Sequence, residues 1–195
     1  MSNIFLSQVK TFFLIFIVLL FNGCTTAQKP APAVPPPPQI TTAYLLEHRI
    51  ISYEPKYQEK IIATLPYEIV RFDESFQLNL VARIPDENRS AVFVSKEPRY
   101  YLWLQRKSDN WRDFTEVHAV NIASLQINAH FSAIRKGVFY KEYSIDFTLE
   151  QLQHVQGSGL DLLLINQNND TSEIALPSHY IKAFLKMLET RSHPK

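Results

Sequence analysis

Three stretches of the chain alternate apolar and polar side chains with a period of two, the pattern of a strand with one buried face. They cover residues 75–84, 123–133 and 138–147. In the second stretch Phe131 falls on the apolar side, and His130 falls on the polar side beside Asn128. Shorter candidate strands lie at 61–64, 67–72, 91–95, 100–105, 111–120, 160–165 and 172–176. Turn-forming segments separate most of them, so the pattern predicts a predominantly antiparallel, sandwich-like β domain.

Two helices are predicted to interrupt the strands. Thr148 and Gln151 have the spacing of a capping box for a short helix near 149–156, with Gly157 as a plausible C-cap. A C-terminal amphipathic helix is predicted near 178–189. Its apolar stripe consists of Tyr180, Ile181, Phe184, Leu185 and Leu188. We expect the stripe to pack on the sheet, the alternatives being a partner-binding or membrane-lying helix. Segment 40–53 is compatible with a short helix and with a strand. The predicted fold class is therefore α+β.

The first 24 residues have the pattern of a secretory signal peptide. A polar start carrying Lys10 is followed by an apolar run at 11–21 and then by Asn22, Gly23 and Cys24. The apolar run is much shorter than the roughly 20 residues that a transmembrane helix needs. This segment therefore predicts export rather than a membrane-spanning anchor.

Cys24, the only cysteine of the chain, lies directly after the small residue Gly23. The arrangement resembles a bacterial lipoprotein precursor, although Phe21 and Asn22 depart from the residues favoured before the cysteine. The resemblance implies cleavage by signal peptidase II after residue 23, a diacylglycerol on the Cys24 thiol and an acyl chain such as palmitate on the new amino terminus. Thr25 rather than aspartate then implies the outer membrane, with the domain facing the periplasm. An ordinary signal peptide with an incidental cysteine and an uncleaved apolar anchor are the alternatives.

Residues 24–39 form the predicted lipidated cysteine and tether. They contain six of the twelve prolines of the chain, at 30, 32, 35, 36, 37 and 38. Such a segment favours extended polyproline II, which could hold a domain up to roughly 45 Å from a bilayer. A ligand for a proline-recognising groove is the alternative. The remainder, 40–195, is predicted to be a single β-rich globular domain.

Composition excludes several classes of function. The chain carries 20 Lys and Arg against 19 Asp and Glu, a net charge of +1, whereas a nucleic-acid-binding domain normally has a basic excess. One cysteine allows no intramolecular disulfide and argues against a thiolate metal cluster. The histidines at 48, 118, 130, 154, 179 and 193 show no metal-type spacing. For His130 an exposed strand histidine is the default interpretation, and a zinc or general-base role is the alternative. We therefore expect no metal and no cofactor other than the covalent lipid on Cys24.

Segment 99–114 concentrates aromatic and basic residues, including both tryptophans of the chain. If it is a hairpin, Trp103 and Trp111 could contact each other across the strands. The candidate binding residues are Arg99, Tyr100, Tyr101, Trp103, Arg106 and Trp111. Completion of the hydrophobic core is the alternative role for these rings, and a surface that binds an envelope protein or peptidoglycan is the functional one.

Two hypotheses of function follow from the sequence. The first is a non-enzymatic binding or accessory module, held in the cell envelope by its lipid anchor. The second is an envelope hydrolase whose catalytic residues are scattered over strands, which no local motif would reveal. A concave pocket that contains two or more histidines and carboxylates would favour the enzyme.

Overall fold

The computed structural model describes residues 39–86 and 97–190. The predicted signal peptide, Cys24, the tether up to Pro38 and the predicted strand at 91–95 lie outside these residues. Within them the chain forms three helices and ten strands. In chain order these are α1 Thr42–Glu47, β1 Ile50–Glu54, β2 Glu59–Ala63, β3 Tyr67–Val70, β4 Glu74–Pro85, β5 Arg99–Ser108, β6 Phe114–Ala119, β7 Ile127–Arg135, β8 Val138–Phe147, α2 Leu149–Val155, β9 Leu160–Asn166, β10 Thr171–Leu176 and α3 Ser178–Glu189.

The large sheet is organised around β4, the strand with the clearest alternation. Its strands are antiparallel in the order β1-β2-β4-β5-β8-β7. β4 is long enough to pair with two strands on one edge, because β3 joins its first half and β2 its second half. The register sets Leu78, Leu104 and Tyr143 side by side. The buried faces of β4, β5 and β8 therefore form one continuous apolar surface, the inner face of the sheet.

A small antiparallel sheet of order β10-β9-β6 completes the core. Buried and exposed positions alternate along β10, and β9 buries Leu160, Leu162 and Leu164. These leucines belong to the same hydrophobic cluster as Leu78 and Leu104 of the large sheet. Residues from Gln39 onward form one compact unit. The prediction of an α+β, mostly antiparallel sandwich is confirmed.

α3 packs by the predicted stripe. Tyr180, Ile181 and Phe184 are fully buried and Leu185 nearly so, whereas Leu188 is only partly buried. The helix lies against β2 and β4 and is contacted by both α1 and α2. The interpretation that its apolar face covers the sheet is confirmed, and that face is not free for a partner or a membrane. Segment 40–53 forms both candidate elements, first α1 and then β1.

The capping box of α2 is formed as predicted. The Gln151 amide donates to Thr148 Oγ1 at 3.1 Å, and the Thr148 amide donates to Gln151 Oε1 at 2.8 Å. The predicted C-cap at Gly157 is wrong, because the left-handed residue after the helix is Gly159, with φ of 92°. A Cβ on Gly159 would lie 2.9 Å from the carbonyl oxygen of Leu176. Glycine is required there by backbone conformation and by the close approach of β10.

β7 departs from the predicted alternation in two ways. It starts at Ile127 rather than at residue 123. It also contains a bulge, since Ala129 opposes Tyr143 and Phe131 opposes Glu142, which leaves His130 as the extra residue. A bulge sets two consecutive residues against one partner. Phe131 therefore leaves the buried face on which it was predicted, and it is 48% exposed.

Tyr180→Phe is expected to raise the free energy of unfolding by up to about 1 kcal/mol, because an unpaired buried hydroxyl is destabilising. The Tyr180 hydroxyl is buried and has no hydrogen-bond partner among residues 39–86 and 97–190. Burial raises the pKa of Tyr180, and Tyr67 and Tyr44 raise it further. The folded chain then keeps a proton that the unfolded chain loses near pH 10, so stability falls as pH rises above about 10.

Urea unfolding of the wild type and the Tyr180→Phe variant at pH 7 and above pH 10 measures both effects. The variant should lose less stability at high pH than the wild type. Tyr53→Phe is the matched control, since Tyr53 is 52% exposed. A Tyr180→Phe variant less stable than the wild type at pH 7 would show that the hydroxyl has a stabilising partner.

Candidate functional site

The six candidate binding residues of segment 99–114 do not lie on one hairpin. β5 pairs with β4 and β8 in the large sheet, and β6 pairs with β9 in the small sheet. The hairpin that would bring Trp103 and Trp111 together is not formed, because β5 is a central strand paired along both edges. Trp103 stacks on His130, and Trp111 meets Phe139. The structure thus divides the predicted group instead of joining the two indoles.

Three of the candidates point away from the core. Along β5, Arg99, Tyr101 and Trp103 alternate with the buried Leu102 and Leu104. These odd-numbered side chains lie on the face of the large sheet opposite the core, called the open face here. Trp103 is half-buried, and Trp111 in the loop after β5 is 50% exposed. Neither indole belongs to the buried core, so the core alternative does not account for them.

A concavity of about 820 Å³ lies on the open face. This open-face pocket is lined by Tyr57, Arg83, Pro98, Arg99, Tyr100, Tyr101, Trp103, Asn128, His130, Ser144, Asp146 and Phe147. The lining comes from the turn after β1 and from β4, β5, β7 and β8. Its volume falls in the range of sites for small ligands or for one anchoring side chain of a partner.

The aromatic side of the pocket is built on Trp103. Its ring lies 5.1 Å from that of His130 at an interplanar angle of 18°, and Tyr101 meets it edge-on at 6.3 Å. His130 Nε2 lies 2.8 Å from Ser144 Oγ. Ser144 faces Trp103 on one side and Asn128 on the other in the strand register. The β7 bulge places His130 over this point, as bulges beside functional sites often re-aim a side chain.

The basic side of the pocket surrounds a buried carboxylate. Arg83 and Arg99 face each other directly across β4 and β5, which would normally be unfavourable for like charges. Glu59 offsets this, because its carboxylate lies 3.4 Å from Arg83 and 3.2 Å from Arg99 and is almost fully buried. Burial would lower the pKa of Arg83, but hydrogen bonds to Tyr101 and Glu59 raise it overall. Arg83 is therefore held in place as a cation, and Arg99 is held beside it by the same carboxylate.

The third side is polar and carries a second carboxylate. Asn128 donates from Nδ2 to Asp146 Oδ2 at 3.0 Å, across the β7–β8 pair. The two arginines of the pocket are thus balanced by two carboxylates, Glu59 and Asp146. Preorganised donors and acceptors around exposed ring surface are typical of a site that binds a polar partner by shape and hydrogen bonds.

The remaining candidates lie elsewhere. Tyr100 is half-buried and packs against the core at the edge of the pocket. Trp111 packs its ring edge-on against Phe139 at 5.3 Å, and the Lys141 ammonium lies 3.6 Å from the indole centroid. Neither Trp111 nor Arg106 lines the open-face pocket.

Arg106 is a structural residue on the inner face. Its side chain is 3% exposed, and Nε donates to Glu74 Oε2 at 2.9 Å. The other oxygen of Glu74 accepts a hydrogen bond from Ser172 of β10 at 2.9 Å. The neighbouring Lys141 pairs with Asp113, and burial together with the Arg106 charge lowers the pKa of Lys141. This ionic cluster joins the two sheets and is closed to a partner.

No protein family, curated protein or solved structure matches this chain. Among the described residues there is no group of three or more side chains able to hold a metal ion. None of the helices that the structure describes is long and apolar enough to cross a bilayer. The function of the open-face pocket is therefore argued from its geometry.

Sequence reasoning missed half of the pocket. Arg83, Ser144 and Asp146 come from strands whose alternation predicted only that their side chains are polar. Their convergence depends on strand order, which local spacing does not encode. His130 and Asn128 were placed on one polar face correctly, but the bulge that turns His130 toward Ser144 has no local signal such as a glycine.

Proposed function

We propose that this protein is a cell-envelope lipoprotein, anchored through Cys24 in the outer membrane, whose domain faces the periplasm and binds an envelope protein or the cell wall. The proposal is based on the open-face pocket, in which the central strand β5 presents Arg99, Tyr101 and Trp103 on the solvent side of the sheet. The domain is a binding or accessory module, not an enzyme, in this proposal.

The anchor is supported by the sequence. The apolar run at 11–21, Gly23 and Cys24 match the lipoprotein pattern, and a proline-rich tether follows. Acylation at two points gives stable attachment where one chain would be marginal, because each buried methylene contributes about 0.8 kcal/mol. The lone thiol is then consumed by lipid, which accounts for a chain with a single cysteine.

The binding role is supported by the energetics of the pocket. Tryptophan, tyrosine and arginine are the residues that contribute most at protein interfaces. Here a rigid sheet holds them, and their hydrogen bonds and ring contacts fix their orientation before a partner arrives. Such preorganisation lowers the entropic cost of binding.

Photo-crosslinking in living cells tests the binding surface. A photoreactive residue in place of Trp103 or Tyr101 is expected to capture a specific envelope protein or peptidoglycan. Gln77 is the matched control position, because it lies on the same face through its pairing with Gln105 but does not line the pocket. Capture from Gln77 equal to that from Trp103, or none from either pocket position, would contradict a binding surface here.

A second candidate is the envelope hydrolase, because His130 and Asp146 line one concave pocket, the combination of histidine and carboxylate expected of an enzyme. His130 Nε2 contacts Ser144 Oγ at 2.8 Å inside a pocket that also holds Asp146, so a base and a hydroxyl nucleophile are within reach. Ser144 lies in mid-strand, however, paired with Trp103 and Asn128. Its neighbouring amides belong to ladders, whereas an acyl-transfer site needs free donors for the oxyanion.

A fluorophosphonate probe separates the two candidates. If the pocket is a serine hydrolase, the purified chain should be labelled at Ser144 and lose labelling on Ser144→Ala or His130→Gln. The binding-module proposal expects no labelling at Ser144 above that at Ser132, a serine of β7. Labelling confined to Ser144 would replace the binding module with the enzyme.

A further inference from the structure

One end of the large sheet, where β5 ends and β7 turns into β8, exposes apolar side chains at turns. The register pairs Glu74 with Ser108 and Ser108 with Phe139, so the turn before β4, the loop after β5 and the β7–β8 turn meet there. The Asp109 amide also donates to the Asp73 carbonyl oxygen at 3.4 Å. At this end Phe72 is 106% exposed, Ile134 62% and Trp111 50%. Phe72, Trp111 and Ile134 are spread over different strands and loops of this one end, which is therefore a candidate interaction surface.

Basic side chains lie at the same end of the sheet, where Lys107 and Arg135 belong to the face opposite Ile134. The Lys107 ammonium and the Arg135 guanidinium lie 5.8 and 5.9 Å from the Tyr140 ring centroid. Lys136 follows in the β7–β8 turn. In the part of the chain that the structure describes, none of these three cations has an ion pair with a carboxylate. Phe72, Lys107, Trp111, Ile134, Arg135 and Lys136 are called the basic tip below.

We propose that the basic tip lies on the surface of an anionic phospholipid bilayer, with Trp111 at the level of the headgroups. This inference rests on the proposed lipid anchor. Tryptophan favours the membrane interface, where its apolar ring and polar N–H are both satisfied. Lysine and arginine near the surface are attracted by anionic lipids. Charge complementarity therefore favours a lipid surface over an apolar protein patch, which would leave the three cations without partners.

Because the proposed lipid anchor already holds the domain at the bilayer, a weak contact between the basic tip and the bilayer is sufficient. Asp73 and Asp109 lie beside Phe72 and offset part of the positive charge, so the tip alone is a weak membrane ligand. A tethered domain nevertheless meets the same bilayer at high effective concentration, and a second contact then becomes intramolecular. The basic tip then determines which end of the domain faces the membrane. The open-face pocket lies on a face of the large sheet and not at this end.

Tryptophan fluorescence tests this with the full lipidated chain reconstituted in vesicles. Trp103→Phe leaves Trp111 as the only indole, and Trp111→Phe leaves only Trp103, which makes the two variants matched reporters. In vesicles of brominated phosphatidylglycerol, Trp111 is expected to lose most of its emission and Trp103 to keep it. Brominated phosphatidylcholine should quench Trp111 less. Lys136→Glu should also weaken the quenching, and Lys182→Glu, an exposed position on α3, should not.

Flotation of the same vesicles separates two kinds of failure. A chain that does not float with the vesicles rejects the proposed anchor and this inference with it. A chain that floats while Trp111 keeps its emission, or is quenched no more than Trp103, overturns only the membrane contact of the basic tip. Circular dichroism of each variant confirms that the fold is retained in the comparison.

Discussion

Arg106→Ala is expected to destabilise the domain by about 3 kcal/mol, because it leaves the Glu74 carboxylate buried without its main partner. The side chains of the pair are only 3% and 8% exposed. Arg71 remains 3.5 Å from Glu74 and compensates in part, which keeps the effect at the lower end for a broken buried pair. Urea unfolding followed by far-ultraviolet circular dichroism measures the loss.

Arg99→Ala is the matched control on the same strand. The Arg99 side chain is 51% exposed, and Arg83 remains 3.4 Å from the buried Glu59 carboxylate, so replacement of Arg99 should cost no more than about 1 kcal/mol. The double variant Arg106→Met with Glu74→Leu should recover most of the lost stability, since buried ion pairs can be replaced by apolar side chains. A stable Arg106→Ala variant that loses only partner binding would instead restore Arg106 to the binding surface predicted from the sequence.

Cys24→Ser is expected to abolish both lipid attachment and signal-peptide cleavage, because the hydroxyl of serine cannot carry the thioether-linked lipid on which signal peptidase II acts. The chain should then incorporate no labelled palmitate and should remain as a longer precursor that keeps the apolar run at 11–21. Metabolic labelling with palmitate and immunoblotting for chain length measure both changes. Thr25→Asp is the control, since by resemblance to Gram-negative lipoproteins it should stay membrane-bound but move to the inner membrane.

A Cys24→Ser chain that is processed to the same length as the wild type would contradict lipidation at Cys24. A wild-type chain that keeps residues 1–23 would show that the apolar run at 11–21 is an uncleaved anchor, the alternative that the sequence leaves open. Accumulation of the precursor in cells treated with a signal peptidase II inhibitor gives an independent test. Absence of that accumulation would leave an ordinary signal peptide with an incidental cysteine.

Local patterns predicted the elements whose stability is local. The alternation in 75–84 became β4, the capping box formed at Thr148, and the stripe from Tyr180 became the buried face of α3. Each depends on residues a few positions apart, which a single sequence displays. The fold class followed from these elements, because alternating strands with two amphipathic helices admit few architectures.

Features that depend on which strands pair with each other could not be predicted from local sequence patterns. A hairpin between β5 and the segment after it is one possibility that the sequence offers, but Phe114 begins a strand of the other sheet. Alternation shows which side chains of one strand share a face, but it does not show which strands are neighbours. The candidate group combines Trp103 and Arg106, which are three residues apart and lie on opposite faces of β5, so alternation along this strand argues against one shared surface.

The contact between α1 and α3 has a consequence for folding during the proposed export. Thr42 donates to the carbonyl oxygen of His179, 137 residues later, and Ser172 reaches Glu74 across 98 residues. Contacts this distant in sequence slow folding, since long loops must close before they form. In the proposed export, a chain that crosses the inner membrane from its amino terminus cannot complete this domain until its last helix has emerged. Until then Leu45 and the inner face of β4 lack the cover of α3, and the emerging chain needs protection from aggregation.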